Sequence, residues 1–357
     1  ATAPEVAAAL ATSARGGGID LGFLRDEWRL VIDARAVRDA ASYRDLPRHG
    51  RRTRLTGERR DALWAVFART RAALAEAGLK TYAAALHDTA AALAAEAAPP
   101  FDHVLVDEAQ DLTLAELRFL KAACAREANG LFFAGDIGQR IFRPAFAWGA
   151  EGIEIRGRSR SLKVNYRTSR QIRRRADLLL PPRLVELEGA EEDRTGVQSV
   201  FDGPPPVVRA FPTEEAESAA VAAWLAQAVA DGTRPEEIAV LVRSIAEFPR
   251  AERAIADAGL DPAPLVARAL PLPGRVALAT MHTGKGLEFR AVAVMACDAA
   301  VLPSEARLLQ AADETALEEI YATERHLLYV ACTRARDRLL VSGRSPISAF
   351  LQDLVDL

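Results

Sequence analysis

Two hydrophobic textures divide the chain near Pro99-Pro100. Before that point, apolar positions recur at the helical period. In "ERRDALWAVFARTRAALAEAG", Leu63, Trp64, Phe67 and Leu74 fall near one face, and Gly78 is placed to end the helix. A second helix, "TYAAALHDTAAALAAEAAPP", stops at the proline pair. Beyond it the pattern shortens. The apolar runs "HVLVD", "GLFFAGD", "SLKVNY", "PVVRAF", "IAVLVRS", "RVALATMH", "AVAVMAC" and "RLLVSG" alternate with helical periods. Some helix starts are readable. Thr113 and Glu116 are spaced as a capping box before "LRFLKAAC", and Thr213 followed by Glu214-Glu215 opens "AESAAVAAWLAQAVA". Strand and helix in alternation predict an α/β fold with parallel, doubly wound sheet buried on both faces. The strands are too many for one compact sheet, so two are expected.

Composition narrows the class without naming a function. The chain has 357 residues, enough for two or three domains, and is 50% apolar and 27% charged. A net charge of −3 carries no global argument for nucleic acid. Three cysteines without paired spacing exclude a disulfide framework and a zinc site, and fit a reducing, cytoplasmic setting. No apolar run is long enough to span a bilayer, so no membrane role is expected. Cations are almost all arginine, the lysines being Lys80, Lys121, Lys163 and Lys285.

The strand ends carry the candidate chemistry. In "FDHVLVDEAQDL" an apolar run stops at two adjacent acids, Asp107 and Glu108. Ligands of open α/β sheets bind beyond the carboxyl ends of the strands. One acid there can hold Mg²⁺ and the other can orient an attacking water; a plain helix-capping acid pair fits the doublet as well. In "LFFAGDIGQRIF", Asp136 and Gln139 stand at the end of the next run. Residues 156–175 hold nine basic residues and no acidic one. An apolar run, Leu162 to Tyr166, crosses that stretch and leaves Arg167 at its end, where it could clamp a phosphate. The outlying Arg158, Arg160, Arg173, Arg174 and Arg175 are expected on the surface, where a polyanion could touch them. "VALATMHTGKGLEF" sets His282, Lys285 and Glu288 around glycines, and "ERHLLYVACTRARDRLLVSG" presents Arg334 between a helix and a strand.

Taken in order, these segments resemble the motifs of superfamily 1 DNA helicases of the UvrD/PcrA/Rep type. "VDEAQD" is similar to motif II, "GDIGQRIF" to motif III, "VNYRTS" to motif IV, "TMHTGKGLEF" to motif V and "YVACTRAR" to motif VI. The resemblance covers residues 101–357. It implies a RecA-like fold and ATP with Mg²⁺ as cofactors, Asp107 holding the metal and Glu108 activating water. Gln139, Arg167 and Arg334 would meet the γ-phosphate. Tyr166 would stack on adenine, Gly286 lie near the phosphates and Glu288 bind ribose. His282 would join the nucleotide site to the DNA track, where Phe142, Phe146 and Trp148 would stack single-stranded bases. The sequence "GDIGQR" departs from the commoner "GDxxQS".

One element is missing from the set. A P-loop reads GxxxxGK[ST] and supplies a lysine to the phosphates. "HTGKGLEF" belongs to motif V and "RGGGID" has no lysine, so these 357 residues hold no such loop. In the family it lies on the first strand of the domain that carries motif II, and is therefore expected upstream of Ala1. The implied organisation is a helical region over 1–100, an insertion of the first helicase domain. A partial first RecA-like domain follows over 101–160, and a second over 161–357 without the family's large helical insertion. The function implied is ATP-dependent 3′→5′ movement on single-stranded DNA, with DNA repair as its setting, by a longer protein of which this is the C-terminal part. The alternative is a non-catalytic helicase-like module that binds nucleic acid or a protein partner.

Overall fold

A computed structural model describes residues 1–14, 19–46, 55–124, 129–141, 148–155, 157–185, 191–266, 269–309, 311 and 314–355. Of these, 1–136 with 148–153 form one compact unit, and 137–141 with the residues from 154 onward form another.

The first unit begins with five helices: α1 (Ala3–Ser13), α2 (Leu21–Glu27), α3 (Ala40–Asp45), α4 (Gly57–Glu76) and α5 (Tyr82–Ala95). Each starts on a side chain that accepts a backbone N–H: Thr2, Asp20, Asp39, Thr56 and Thr81 in turn. Helix α2 widens into a π-helical turn over Trp28–Asp33. Helix α4 buries Leu63, Phe67 and Leu74 as its periodicity predicts, with Trp64 half-buried beside them. It closes with Gly78 at φ +68° and Leu79 N–H donating to Leu74 O at 2.8 Å. After these helices come β1 (Val104–Val106), α6 (Leu114–Ala123) and β2 (Leu131–Phe133). Helix α6 starts on the expected Thr113–Glu116 capping box. The two strands run parallel, Val104 opposite Leu131 and Leu105 opposite Phe132.

The second unit opens with β3 (Val164–Asn165), α7 (Arg170–Asp177), β4 (Arg183–Val185), β5 (Glu191–Asp193) and β6 (Gln198–Ser199). There follow β7 (Val207–Phe211), α8 (Glu214–Ala230), β8 (Ile238–Val242), α9 (Phe248–Asp257) and β9 (Pro262–Pro264). The chain ends with β10 (Val276–Thr280), β11 (Phe289–Val294), α10 (Glu305–Leu308), α11 (Glu314–Cys332), β12 (Ala335–Arg344) and α12 (Ala349–Asp353). Six strands make one sheet in the order β7-β12-β11-β8-β10-β9, parallel at every pairing. Strand β8 shows why its sequence has no polar alternation. Ala239 and Leu241 face one core with Leu327 and Leu328 of α11, whereas Ile238, Val240 and Val242 face another with Val221 and Leu225 of α8. The doubly wound, RecA-like α/β fold is thus the one expected.

One predicted element is corrected. The run Leu162–Tyr166 is not a buried strand: only Val164–Asn165 pair, with β6, and Leu162 and Tyr166 are 90% and 74% exposed.

Candidate nucleotide site

In the first unit, β1 delivers Asp107 and Glu108 to its carboxyl end, both exposed. Asp107 Oδ1 accepts the Glu108 N–H at 2.8 Å. Glu108 sits at φ +54°, ψ +39°, the left-handed region that costs a residue with a Cβ on the order of 1–2 kcal/mol. Such strain persists where neighbours over-determine it and clusters at functional sites. The neighbour here is Gln110, a buried residue that no sequence pattern singles out. Its amide donates to the Glu108 carboxylate, and its Oε1 accepts the Asp136 N–H at 3.1 Å. One side chain thereby ties the end of β1 to the end of β2. Gly135 leaves room for this tie, because a Cβ there would collide with Gln110 Oε1. Among the described residues no group of three or more His, Cys, Asp or Glu could cage a metal. Mg²⁺ needs no cage beside phosphates, since one or two carboxylates and retained waters suffice; an exposed Asp107 fits that demand. Phe142 and Phe146 lie outside the described residues. Trp148 is half-buried, its ring 4.9 Å from that of Phe133 in an edge-on contact.

In the second unit two of the candidate residues lie at the amino ends of strands, not at the carboxyl ends. Glu288 immediately precedes β11 and Arg334 immediately precedes β12. Arg334 is 1% exposed. Its Nε donates to Val330 O at 3.0 Å, Nη1 to Leu287 O at 3.3 Å and Nη2 to Gln139 Oε1 at 3.0 Å. Lys285 Nζ donates to the backbone oxygen of the same Gln139 at 2.6 Å. Residues 195 apart in sequence therefore meet, and a cation holds each of the two carbonyl groups of Gln139, at the end of the short 3-10 turn Ile137–Gln139. Beside them, the Asn165 side chain accepts the N–H groups of Arg167 and Thr168 at 2.8 and 3.3 Å. This Asx turn carries Tyr166 and Arg167 out to solvent. Arg167 Nε lies 3.1 Å from Glu288 Oε2, both side chains about half exposed at 49% and 45%. Gly286 adopts φ +82° with open space around it, so conformation alone asks for glycine there. Guanidinium groups, an amide and an exposed phenol are donors and a flat face that suit an anionic polyphosphate and a purine.

His282 belongs to the other edge. It follows the carboxyl end of β10, where burial first, then the charge of Arg243, push its pKa down to about 4. Glu324 lies there with no exposure. It accepts two bonds from Arg243, both at 2.6 Å, and one from Arg307 at 2.8 Å. Burial works to raise the Glu324 pKa, and the two guanidinium groups more than offset it, leaving the carboxyl below its usual value. The basic stretch is partly structural: Arg173 Nε binds Asp177 at 2.7 Å and Arg175 Nη1 binds Leu354 O at 2.6 Å. Arg158, Arg160 and Arg174 are exposed as expected.

The doubly wound α/β fold is consistent with that of a RecA-like helicase. A family model for the UvrD/REP helicase N-terminal domain matches residues 65–147, and one for the UvrD-like helicase C-terminal domain matches 267–345. These matches support a UvrD-type helicase. It is 25% identical over 366 residues to the ATP-dependent DNA helicase UvrD2 of Mycobacterium tuberculosis (strain ATCC 25618 / H37Rv), a match covering 75% of this chain and 51% of that one. A 69-residue stretch is 46% identical to the putative ATP-dependent DNA helicase YjcD of Bacillus subtilis, covering 19% of this chain and 9% of that protein. The chain thus spans about half the length of the curated relatives it matches over most of its residues. Among solved structures, the C-terminal domain of a possible DNA helicase from Lactobacillus plantarum WCFS1 is similar at 22% identity and a TM-score of 0.37. That match covers 54% of this chain and 94% of the other.

Proposed function

We propose that the chain carries the motif II to motif VI portion of an ATP-dependent, 3′→5′ DNA helicase or translocase acting on single-stranded DNA in the cytoplasm, in DNA repair. The observation that carries this reading is the meeting of Gln139 with Arg334 and Lys285. An amide that can sense a phosphate and cations that can stabilise its charge already share one cluster. In the first unit, Asp107 holds Mg²⁺ and Glu108, cocked by Gln110, takes the proton of the attacking water. In the second, Arg334 and Arg167 bind phosphoryl oxygens, Tyr166 receives the base, Glu288 the ribose, and Gly286 lets the backbone pass close by. His282 and Trp148 serve the DNA side of the machine.

The 357 residues contain no GxxxxGK[ST] loop, and backbone N–H groups of such a loop hold the phosphates in P-loop enzymes. The chain alone is therefore expected to show no DNA-stimulated ATP hydrolysis. A polypeptide joining it to a P-loop strand of this family is expected to turn over. In that polypeptide Glu108→Gln abolishes turnover and leaves nucleotide binding intact, because the amide keeps the shape but takes no proton. Steady-state ATP hydrolysis with single-stranded DNA, beside a nucleotide-binding assay, decides the matter. Robust turnover by the 357 residues alone overturns the need for the P-loop, and turnover by the Glu108→Gln polypeptide overturns the role of Glu108. Hydrolysis absent even with a P-loop present favours the non-catalytic module.

A further inference from the structure

The turn after motif III is fastened to helix α6 by one guanidinium. Arg118 Nε donates to Glu151 Oε2 at 2.8 Å, and Nη2 donates to Glu151 Oε1 at 2.9 Å. This is the planar, two-point contact that arginine makes with a carboxylate and lysine does not. The remaining nitrogen, Nη1, donates to Arg35 O at 3.2 Å. Arg35 directly precedes the left-handed Ala36, φ +56°, in the helical region. One side chain thereby joins three stretches of the first unit that are far apart in sequence. Lys121, one turn further along the same face of α6, donates to the backbone oxygen of Glu151. The ion pair is partly buried, its side chains being 34% and 17% exposed. The hydrogen bonds of Arg118 hold the Glu151 carboxyl below its usual pKa, against the effect of burial.

What this clamp holds is the backbone that carries Trp148. Glu151 closes the short 3-10 turn Gly149–Glu151, and its N–H donates to Trp148 O at 3.0 Å. Ile153 N–H donates to the same oxygen at 3.0 Å. Between them Gly152 stands at φ +73°, and a Cβ there would come 3.0 Å from Lys121 Nζ, so conformation and space both ask for glycine. The indole meets Phe133 of β2 edge-on, 4.9 Å between ring centres, and stays half-buried. Phe133 meets the ring, and the clamped turn sets the backbone beneath it. A ring that stacks on a base gives most to affinity when it is already held in place.

We propose that Arg118 is a positioning residue for single-stranded DNA: through Glu151 it fixes the turn that carries Trp148, and so pre-orders the ring on which a base stacks. The inference rests on the reading of Trp148 as a base-stacking residue. All three nitrogens of the Arg118 guanidinium are engaged by Glu151 and Arg35, so its effect on DNA runs through Trp148.

The test uses the full 357-residue chain and a fluorescein-labelled oligothymidylate, with binding read by anisotropy at one fixed salt concentration. Trp148→Ala is expected to weaken binding at least about fivefold, the lower end of what one stacked base contributes. Arg118→Gln is expected to weaken it about threefold or more in the unaltered chain and not at all in a Trp148→Ala chain, a cycle that isolates action through that ring. Glu151→Gln cuts the clamp from its other end and should repeat the pattern. In a ¹H–¹⁵N spectrum without DNA, the Trp148 indole signal, identified as the one lost in Trp148→Phe, should move in Arg118→Gln. Equal losses in the two backgrounds overturn the proposal, because Arg118 then acts on DNA by another route; so does a stationary Trp148 signal. A weakened Trp148→Ala beside a fully binding Arg118→Gln sinks the inference alone. No binding by the unaltered chain, or equal binding by Trp148→Ala, sinks the reading of Trp148 and the inference with it. Should Arg118→Gln fail to fold, the same measurements on Glu151→Gln carry the decision.

Discussion

The β1–β2 pair and the six-stranded sheet are both parallel and are finished differently. In the second unit, all five residues of β8 have no exposure, and packed helices cover both faces. In the first, β1 and β2 pair in the same parallel sense, yet the paired Leu105 and Phe132 stand 75% and 61% exposed. Parallel strands are ordinarily covered on both sides. The difference teaches where stability and chemistry are divided. The six-stranded sheet is a closed hydrophobic object with the candidate residues Glu288 and Arg334 at its amino edge. The first has its two candidate catalytic acids on a ribbon with one apolar face bare, as expected of a sheet that takes further elements on that side.

The sharpest way to break this contrast is to attack the ionic lock of the finished unit. Arg250 is 5% exposed and binds both oxygens of Asp298, at 2.8 and 3.1 Å, as well as the fully buried Glu217. Glu217 also accepts from Ala296 N–H at 3.0 Å and the Ser342 hydroxyl at 2.6 Å. Helix α8, helix α9 and the ends of β11 and β12 thus meet at one guanidinium. Arg250→Ala leaves the buried Glu217 without this cation and Asp298 with Arg344, 3.6 Å away, and removing one partner of such a buried pair costs roughly 3–5 kcal/mol. Denaturant unfolding followed by Trp224 fluorescence should show a loss of that size in the second unit. A loss below about 1 kcal/mol would mean that water reaches these acids and that the unit is less closed than its packing implies.

Next in size is Leu241→Ala at the centre of β8, where a truncated core leucine costs about 2–5 kcal/mol. Leu241 also packs 3.2 Å from where a Cβ at Gly284 would stand, so the strand supports the motif V turn directly. Thermal unfolding checks the prediction; a shift no larger than that of a surface change would remove β8 from its place as the core.

How much of this was legible follows from the same physics. Strands β8, β10 and β11 could be read because unbroken apolar runs such as IAVLV, VALA and AVAV have few other uses in a soluble chain. Strand β9 is "PAP" on the sheet edge, where proline is tolerated, and nothing in three such residues announces a strand. The short pairs β3–β6 and β4–β5 are held by neighbours more than by their own residues. Candidate residues for the site were visible as types at strand ends, but their surroundings were not. An arginine in "CTRAR" reads as a surface charge, and only the fold shows that Arg334 is buried against Val330, Leu287 and Gln139. Asp107 stands at a carboxyl strand end, as the rule for ligands of open sheets led one to look, whereas the candidates Glu288 and Arg334 lie at amino ends, where that rule does not look. Gln110 is silent in the sequence because a glutamine two residues after an acid has no periodicity to betray it.

A moderate, pH-dependent effect sharpens the contrast between the two edges of the second sheet. His282 is held neutral in the folded chain, with its pKa lowered to about 4 from an ordinary 6.5 by burial and then by Arg243. Between those values the unfolded chain binds a proton that the folded chain refuses. Stability therefore falls as the pH drops from about 6.5 toward 4, and the loss levels off below. In His282→Asn this part of the slope should vanish, so the variant's curve is flatter than the parent's over that window. Equal slopes would show that Glu324 and solvent accommodate the imidazolium after all.

The smallest expected effect lies at the bare ribbon and tests the other side of the comparison. Leu105 is 75% exposed, so Leu105→Ser removes almost no buried area, and surface changes of this kind usually fall within about 0.5 kcal/mol. The same change in a covered strand would cost several times more, as at Leu241. What should change is association, because exposed apolar side chains on a strand pair favour sticking to other surfaces. Leu105→Ser with Phe132→Ser is expected to leave the unfolding midpoint of the 357 residues nearly unmoved and to reduce self-association in sedimentation velocity. In a polypeptide that also carries the P-loop strand, the double substitution should instead cost several kcal/mol, since the bare face is then covered. Equal effects in both contexts would mean that nothing packs on Leu105 and Phe132, and that the first sheet ends where the structure leaves it.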